Sequence, residues 1–168
     1  MGIAAFEKQA GEWCRHCAPG RGGCKIYDTR PEECRNFYCN WLLRPDLGPE
    51  WRPLDCKMIL LVYPQGLTVH VDPDFPDTWR KEPYHRQLQL WAFKAWQARM
   101  HVAVWIKRRR IIILPDRDID LGEFDPGDRI EVSVQMTVLG QTWSAARILA
   151  KHDTSKQSIG AAPRINTA

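Results

Sequence analysis

Cys14, Cys17, Cys24, Cys34 and Cys39 fall within 26 consecutive positions of a 168-residue chain whose only other cysteine is Cys56. Thiols at that density suit the chemistry of a thiolate-bound metal. Cys14-x-x-Cys17 is the spacing at which two sulfurs grip one ion from a tight turn. Cys24 follows Ala18-Pro19-Gly20-Arg21-Gly22-Gly23. Its glycines let the chain fold back and turn backbone N–H groups toward sulfur. A tetrahedral zinc takes four thiolates, and so does a cubane iron–sulfur cluster. One of the five is therefore surplus, or exchanges with His16. Because His16 lies between Cys14 and Cys17, its side chain is expected to point away from a shared ion. The alternative is a set of buried free thiols or two disulfides. Single buried cysteines are common, but five in one loop-rich stretch is not a packing pattern. Cys56 stands alone before an apolar run and reads as a core residue.

The next stretch, Asp28 to Leu42, must present the later cysteines. Thr29 and Glu32 fit a capping box, and Pro31 and Glu33 suit a first turn, so a helix is expected to start here. Cys34 and Cys39 are five apart, which on a regular helix separates them by about 140°. Both cannot face one ion from such a helix. Either it ends before Cys39 or the two serve different neighbours. Phe37, Trp41 and Leu42 are expected to anchor this piece to the rest of the chain. Arg30 and Arg35 could offset the negative charge of a thiolate cage.

Beyond a Pro-rich connector, Arg44 to Pro53, the pattern becomes that of an α+β domain. The run Lys57 to Val71 reads as two strands around a Pro64-Gln65-Gly66 turn. In the second, Leu67, Val69 and Val71 face one side, and Thr68 and His70 the other. A short turn is expected from Thr78 to Glu82, followed by a helix from about Pro83 to Met100. Leu88, Trp91, Ala92, Ala95 and Trp96 keep the spacing of its buried face. His101 to Pro115 looks like a hairpin turning near Arg108-Arg109, where neither residue favours the positive φ of a tight turn. Asp128 to Gly140 supplies another strand with Ile130, Val132, Val134 and Met136 on one face. The stretch from Lys151 is polar and aperiodic and reads as a disordered tail.

Bulk properties narrow the function. The net charge of +4 is mild and spread along the chain, whereas nucleic-acid modules carry a stronger, more local basic footprint. Nucleic acid is thus not the expected partner, although Lys107-Arg108-Arg109-Arg110 makes a compact basic tip that could touch phosphate or an acidic protein. No apolar run approaches the roughly 18 residues of a membrane helix, and the first residues lack the pattern of a signal peptide. A cytoplasmic location is expected, where thiols stay reduced and clustered cysteines point to metal before disulfide. Asp116, Asp118 and Asp120 alternate, but Leu121 and Gly127 occupy positions where a calcium loop needs Gly and Glu. They read as outward acids on an edge or turn. His70, His85, His101 and His152 are scattered and form no metal-binding pair, and no phosphate-binding or nucleophile motif occurs.

The residues Cys14, Cys17, Gly23, Cys24, Ile26, Tyr27, Arg30, Pro31, Cys34, Arg35, Phe37, Cys39, Trp41 and Leu42 follow the pattern CxxC…GCxIYxxRPxxCRxFxCxWL. That pattern resembles the bacterial YkgJ-type proteins, the CxxCxxCC family of zinc- or iron-chelating domain proteins. The segments from Val69 to Ala92 and from Ile113 to Gly122 are similar to long members of the family. The resemblance implies metal chelation by the cysteines and implies no established reaction. The chain departs from the family in lacking the upstream run that ends in a Cys-Cys pair. The combined expectation is an α+β protein: an N-terminal cysteine-rich metal knuckle with a short helix, then a mainly antiparallel sheet covered by one long helix. Residues 1–45 form the metal-binding segment, 54–150 an α+β domain packed against it, and 151–168 the tail. Cys14, Cys17, Cys24, Cys34 and Cys39 are the candidate ligands. Zn²⁺ is preferred over an iron–sulfur cluster, because a short loop-built thiolate cage suits zinc and no binding site for a redox partner is visible. The alternatives are an iron–sulfur redox or enzyme-accessory protein and an interaction module using the basic hairpin at 107–110.

Overall fold

The computed structural model describes residues 3–8, 14–18, 23–138 and 140–150, and the expected tail at 151–168 lies outside them. The described chain is a mixed helix-and-strand structure with few helices and a mostly antiparallel sheet. Among the described residues, the cysteine-rich part carries single helical turns, α1 (Glu32–Arg35), α2 (Asn40–Leu43) and, at the end of the connector, α3 (Pro53–Cys56). The capping box does not form. Pro31 itself stands at the N-cap of α1 and no side chain caps the turn, so α1 stops after four residues. The possible single helix carrying both Cys34 and Cys39 is replaced by two turns.

β1 (Met58–Tyr63) and β2 (Gly66–Val71) pair antiparallel with Tyr63 opposite Gly66. The loop is thus Pro64-Gln65, and Gly66 begins the strand at φ 140°. Glycine is required there, since a Cβ at Gly66 would lie 1.9 Å from the carbonyl oxygen of His101. A 3₁₀ turn at Thr78–Arg80 and then α4 (Tyr84–Gln97) follow. They bring the chain back so that β3 (His101–Ile106) runs parallel to β2, with His101 opposite Gly66. A parallel pair needs a crossover of a dozen residues or more, and residues 72–100 supply it. β4 (Arg109–Ile113) and β5 (Asp118–Glu123) complete a sheet of order β1-β2-β3-β4-β5 in which only β2 and β3 are parallel. β6 (Arg129–Thr137) and β7 (Gly140–Ile148) form a separate antiparallel ribbon.

The sheet is buried on both faces, which explains the unbroken apolar runs Val102-Ala103-Val104 and Ile111-Ile112-Ile113. One face joins Met58, Leu60, Val69, Val102, Val104, Ile111 and Ile113 with Leu88 and Ala92 of α4, and Trp91 and Ala95 pack against that cluster. On the other face Ala103, Ile112 and Leu114 meet the ribbon through Ile130, Val132, Trp143 and Ala145. Each buried large aliphatic side chain stabilises the fold by about 1.5–3 kcal/mol relative to exposure. The connector is held to α4 by aromatic contacts, with the Trp51 ring edge-on to Tyr84 at 5.0 Å and tilted against Trp91 at 4.9 Å.

Several boundaries differ from the sequence expectation. α4 ends at Gln97 rather than Met100. Arg99 takes φ 56°, and Met100 N–H and Arg99 N–H donate to the carbonyls of Ala95 and Trp96. That pair of bonds is the left-handed helix stop usually marked by glycine. The basic hairpin turns at Lys107-Arg108, one residue early and tightly, with Lys107 at φ 52° and Ile106 opposite Arg109. Trp41 packs on the core, but Leu42 stays 60% exposed. Met136 is 74% exposed, because the far end of the ribbon runs past the sheet face that buries Ile130 and Val132.

Candidate functional site

Two turns of the same kind carry the first three cysteines. Cys17 N–H donates to the Cys14 carbonyl at 2.9 Å, and Tyr27 N–H donates to the Cys24 carbonyl at 3.3 Å. Between them the chain doubles back. Lys25 N–H meets the His16 carbonyl at 2.8 Å, Ala18 N–H meets the Gly23 carbonyl at 3.1 Å, and Cys17 and Cys24 become partners in an antiparallel bridge. Bridge partners project their side chains from the same face with Cβ atoms about 4.5–5.5 Å apart. Gly23 makes the return possible at φ 111°. The His16 ring packs on Phe6 at 4.7 Å, and Arg15 lies over the same ring at 5.4 Å.

Cys34 comes from α1, where its N–H donates to the Pro31 carbonyl at 3.0 Å. Burial pushes the Cys34 thiol up, Cys14, Cys24 and Glu33 add to the shift, and Arg30 opposes it. The Arg30 guanidinium stacks on the Tyr27 ring at 3.8 Å. Its pKa is raised, most by Tyr27 and further by Cys24 and Cys34. Arg35 does something else. Its Nε donates to the Arg30 carbonyl and its terminal nitrogen to the Asp28 carbonyl, each at 3.0 Å, which fixes the loop before α1.

Cys39 takes a different position. It stands at the N-cap of α2, only 4% exposed, and lines an open cleft of about 430 Å³ with Gly23, Trp41, Arg52, Pro53 and Leu54. Cys56 is a core residue, 1% exposed, with its thiol 3.4 Å from the carbonyls of Trp51 and Met58. Burial pushes the Cys56 thiol up, and Cys39 is among the groups that add to this. All six thiols are free. Among the described residues, no three His, Cys, Asp or Glu side chains are grouped as they would be around a metal ion. The donor types fit a thiolate-bound metal, and the buried Arg30 Nε has no hydrogen-bond partner among the described residues.

One constellation is invisible in the sequence. His85, at the start of α4, places Nε2 2.9 and 3.1 Å from the two carboxylate oxygens of Asp118 on β5. Arg80 approaches the same carboxylate at 3.5 Å and lies over the Trp79 ring at 4.1 Å. Thirty-three positions separate His85 from Asp118, so no local motif could announce the pair. The basic tip is largely occupied within the molecule. Arg108 pairs with Asp125 and donates to the Phe124 carbonyl, Arg109 pairs with Asp120, and Arg110 lies 3.8 Å from the Trp105 ring.

No described helix is long and apolar enough to cross a membrane. No protein-family model, curated protein or solved structure matches the chain. The likeness to the YkgJ-type proteins accordingly rests on the residues quoted for it.

Proposed function

We propose that this protein binds one metal ion through the thiolates of Cys14, Cys17, Cys24 and Cys34, and that the ion is zinc. The observation that carries this reading is the antiparallel bridge between Cys17 and Cys24. It sets the Cys14-x-x-Cys17 turn against the Cys24 turn, and Cys34 is the next thiol along the chain. Four thiolates complete a tetrahedral zinc site. The fifth candidate, Cys39, then belongs to the cleft beside α2 and is the surplus thiol. In this reading residues 14–39 close into a knuckle around the ion, α4 roofs the sheet, and the protein works in a reducing cytoplasm where the thiols remain available. Ligand side chains draw together as metal replaces their protons, because binding and local ordering are coupled in such sites. The resemblance to zinc- or iron-chelating proteins supports the same chemistry.

Elemental analysis of anaerobically purified protein, alongside Cys34→Ser, tests it. One zinc per native chain and none in the variant is the expected outcome. A brown protein containing iron and inorganic sulfide would replace zinc with an iron–sulfur cluster on the same cysteines. Metal-free native protein that cannot be loaded with either would end the proposal.

A further inference from the structure

A cavity of about 180 Å³ opens where the start of α2, the connector and α4 meet, and none of its lining residues is a cysteine. Trp51 from the connector and Trp91 from α4 line it, with ring centroids 4.9 Å apart. Its charged groups are Glu50 and the Arg44–Asp46 pair. Arg44 and Asp46 neutralise one another, with Arg44 Nε 2.7 Å from the Asp46 carboxylate. The Glu50 carboxylate forms no hydrogen bond or ion pair among the described residues. The cavity therefore presents one uncompensated negative charge beside two indoles. Its wall is held in place from outside. The Trp41 indole N–H donates to the Gly48 carbonyl at 3.2 Å, and the Tyr84 hydroxyl donates to the Glu50 carbonyl at 3.0 Å. The Glu50 side chain folds back over Gly48, where a Cβ would lie 2.2 and 2.5 Å from the two carboxylate oxygens. Gly48 has φ −63°, which any residue adopts. Glycine at this position thus makes room for the carboxylate rather than for a special backbone.

We propose that this cavity binds a small organic cation, an alkylated ammonium or guanidinium group, between the Glu50 carboxylate and the indoles of Trp51 and Trp91. The site is independent of the thiolate centre. A cation gains from the carboxylate and from the aromatic rings together. An anion meets the Glu50 charge as repulsion, and a neutral ligand leaves that charge unused. The volume is below the roughly 300 Å³ at which sites for drug-sized ligands begin, so the ligand group has few heavy atoms. The Asn40 and Gln87 amides also line the cavity and can bond to whatever the cation is attached to.

Methylguanidinium and tetramethylammonium chlorides, titrated into the full chain at low ionic strength, are the probes. N-methylurea is the neutral match to the first in shape. Calorimetry gives the affinity, and the indole N–H signals of ¹⁵N-labelled protein report the place. The native protein is expected to bind at least one of the two cations, with the Trp51 and Trp91 signals moving most. N-methylurea should bind about tenfold more weakly than methylguanidinium, because it lacks the charge. Glu50→Gln keeps the shape and removes the charge, and should weaken cation binding roughly tenfold. Gly48→Ala keeps the charge but pushes the carboxylate from its seat. It should weaken the cation while leaving the melting temperature unchanged, since only the end of a flexible side chain must move. Binding of neither cation would overturn the proposal. So would N-methylurea or acetate binding as well as the cations, or native affinity in both Glu50→Gln and Gly48→Ala. Shifts confined to tryptophans other than Trp51 and Trp91 would place the cation elsewhere and overturn it too.

Discussion

Cys17 and Cys24 face one another across an antiparallel bridge, whereas Cys39 is buried at the N-terminus of α2. The proposed ligand set adds Cys14 and Cys34 to that pair and leaves Cys39 out. Serine at Cys14, Cys17, Cys24 or Cys34 should each abolish stoichiometric zinc after dialysis against a chelator, while Cys39→Ser should retain it. Zinc per chain by mass spectrometry is the measurement. Loss of zinc in Cys39→Ser, with retention in any of the other four, would redraw the ligand set.

His70 makes stability depend on pH. Its Nε2 is buried without a partner, its ring lies 5.0 Å from Trp105, and burial lowers its pKa from 6.5 to about 4. The unfolded chain therefore binds a proton between those values that the folded chain refuses. Stability should be full above pH 6.5 and fall as the pH drops toward 4, by up to about 3 kcal/mol. Burial lowers the pKa of His101 in the same sense. Urea denaturation across that window should show a slope that His70→Gln makes shallower. An unchanged slope in the variant would assign the acid sensitivity elsewhere.

Asp118 joins the edge strand β5 to the start of α4 through His85, with Arg80 beside it, and its side chain is only 15% exposed. Asp118→Ala should lower stability by about 1–3 kcal/mol, because it leaves partly buried donors without their acceptor. Asp120, two residues along the same strand, pairs with Arg109 in a more open setting, and Asp120→Ala should cost under about 1 kcal/mol. Chemical denaturation of the two variants gives the comparison, and equal losses would contradict the ranking.

Gly66 and Gly23 both take positive φ, but only one is crowded. A Cβ at Gly66 meets the backbone of β3, while one at Gly23 meets nothing within 4 Å. Gly66→Ala should therefore prise β2 from β3 and cost upwards of about 3 kcal/mol. Gly23→Ala should incur only backbone strain of about 1–3 kcal/mol, felt in metal affinity more than in the melting of the sheet. Thermal melting of both variants decides the matter.

Much of the fold was legible because its signals are local. Alternation in β2 and the helical spacing of Leu88, Trp91, Ala92 and Ala95 mark buried faces, whereas Trp96, expected on the same helix face, is not among the residues of that core cluster. Other features gave no sequence cue, for stated reasons. Arg99 and Lys107 adopt the left-handed backbone usually signalled by glycine, so one helix end and one turn were misplaced. Asp116, Asp118 and Asp120 were read as outward acids on an edge or turn; Asp118 and Asp120 lie on the edge strand β5, but the Asp118 side chain is 15% exposed and turned to His85. β7 was missed, since Gly140–Ile148 is a half-exposed ribbon strand with little apolar contrast.

Taken alone, the amino-acid sequence determined which atoms are available: a dense set of thiols, a turn able to present two of them, and an apolar periodicity sufficient for a mixed helix-and-strand core. These follow from residue type and short spacing, which no distant contact alters. Tertiary structure decided the partners. It ran β3 parallel to β2, paired Cys17 with Cys24 across a bridge, buried Cys39 at the start of α2, and brought His85 to Asp118. Each of these depends on segments meeting across the fold, where burial of apolar surface, rather than local propensity, selects which side chains become neighbours.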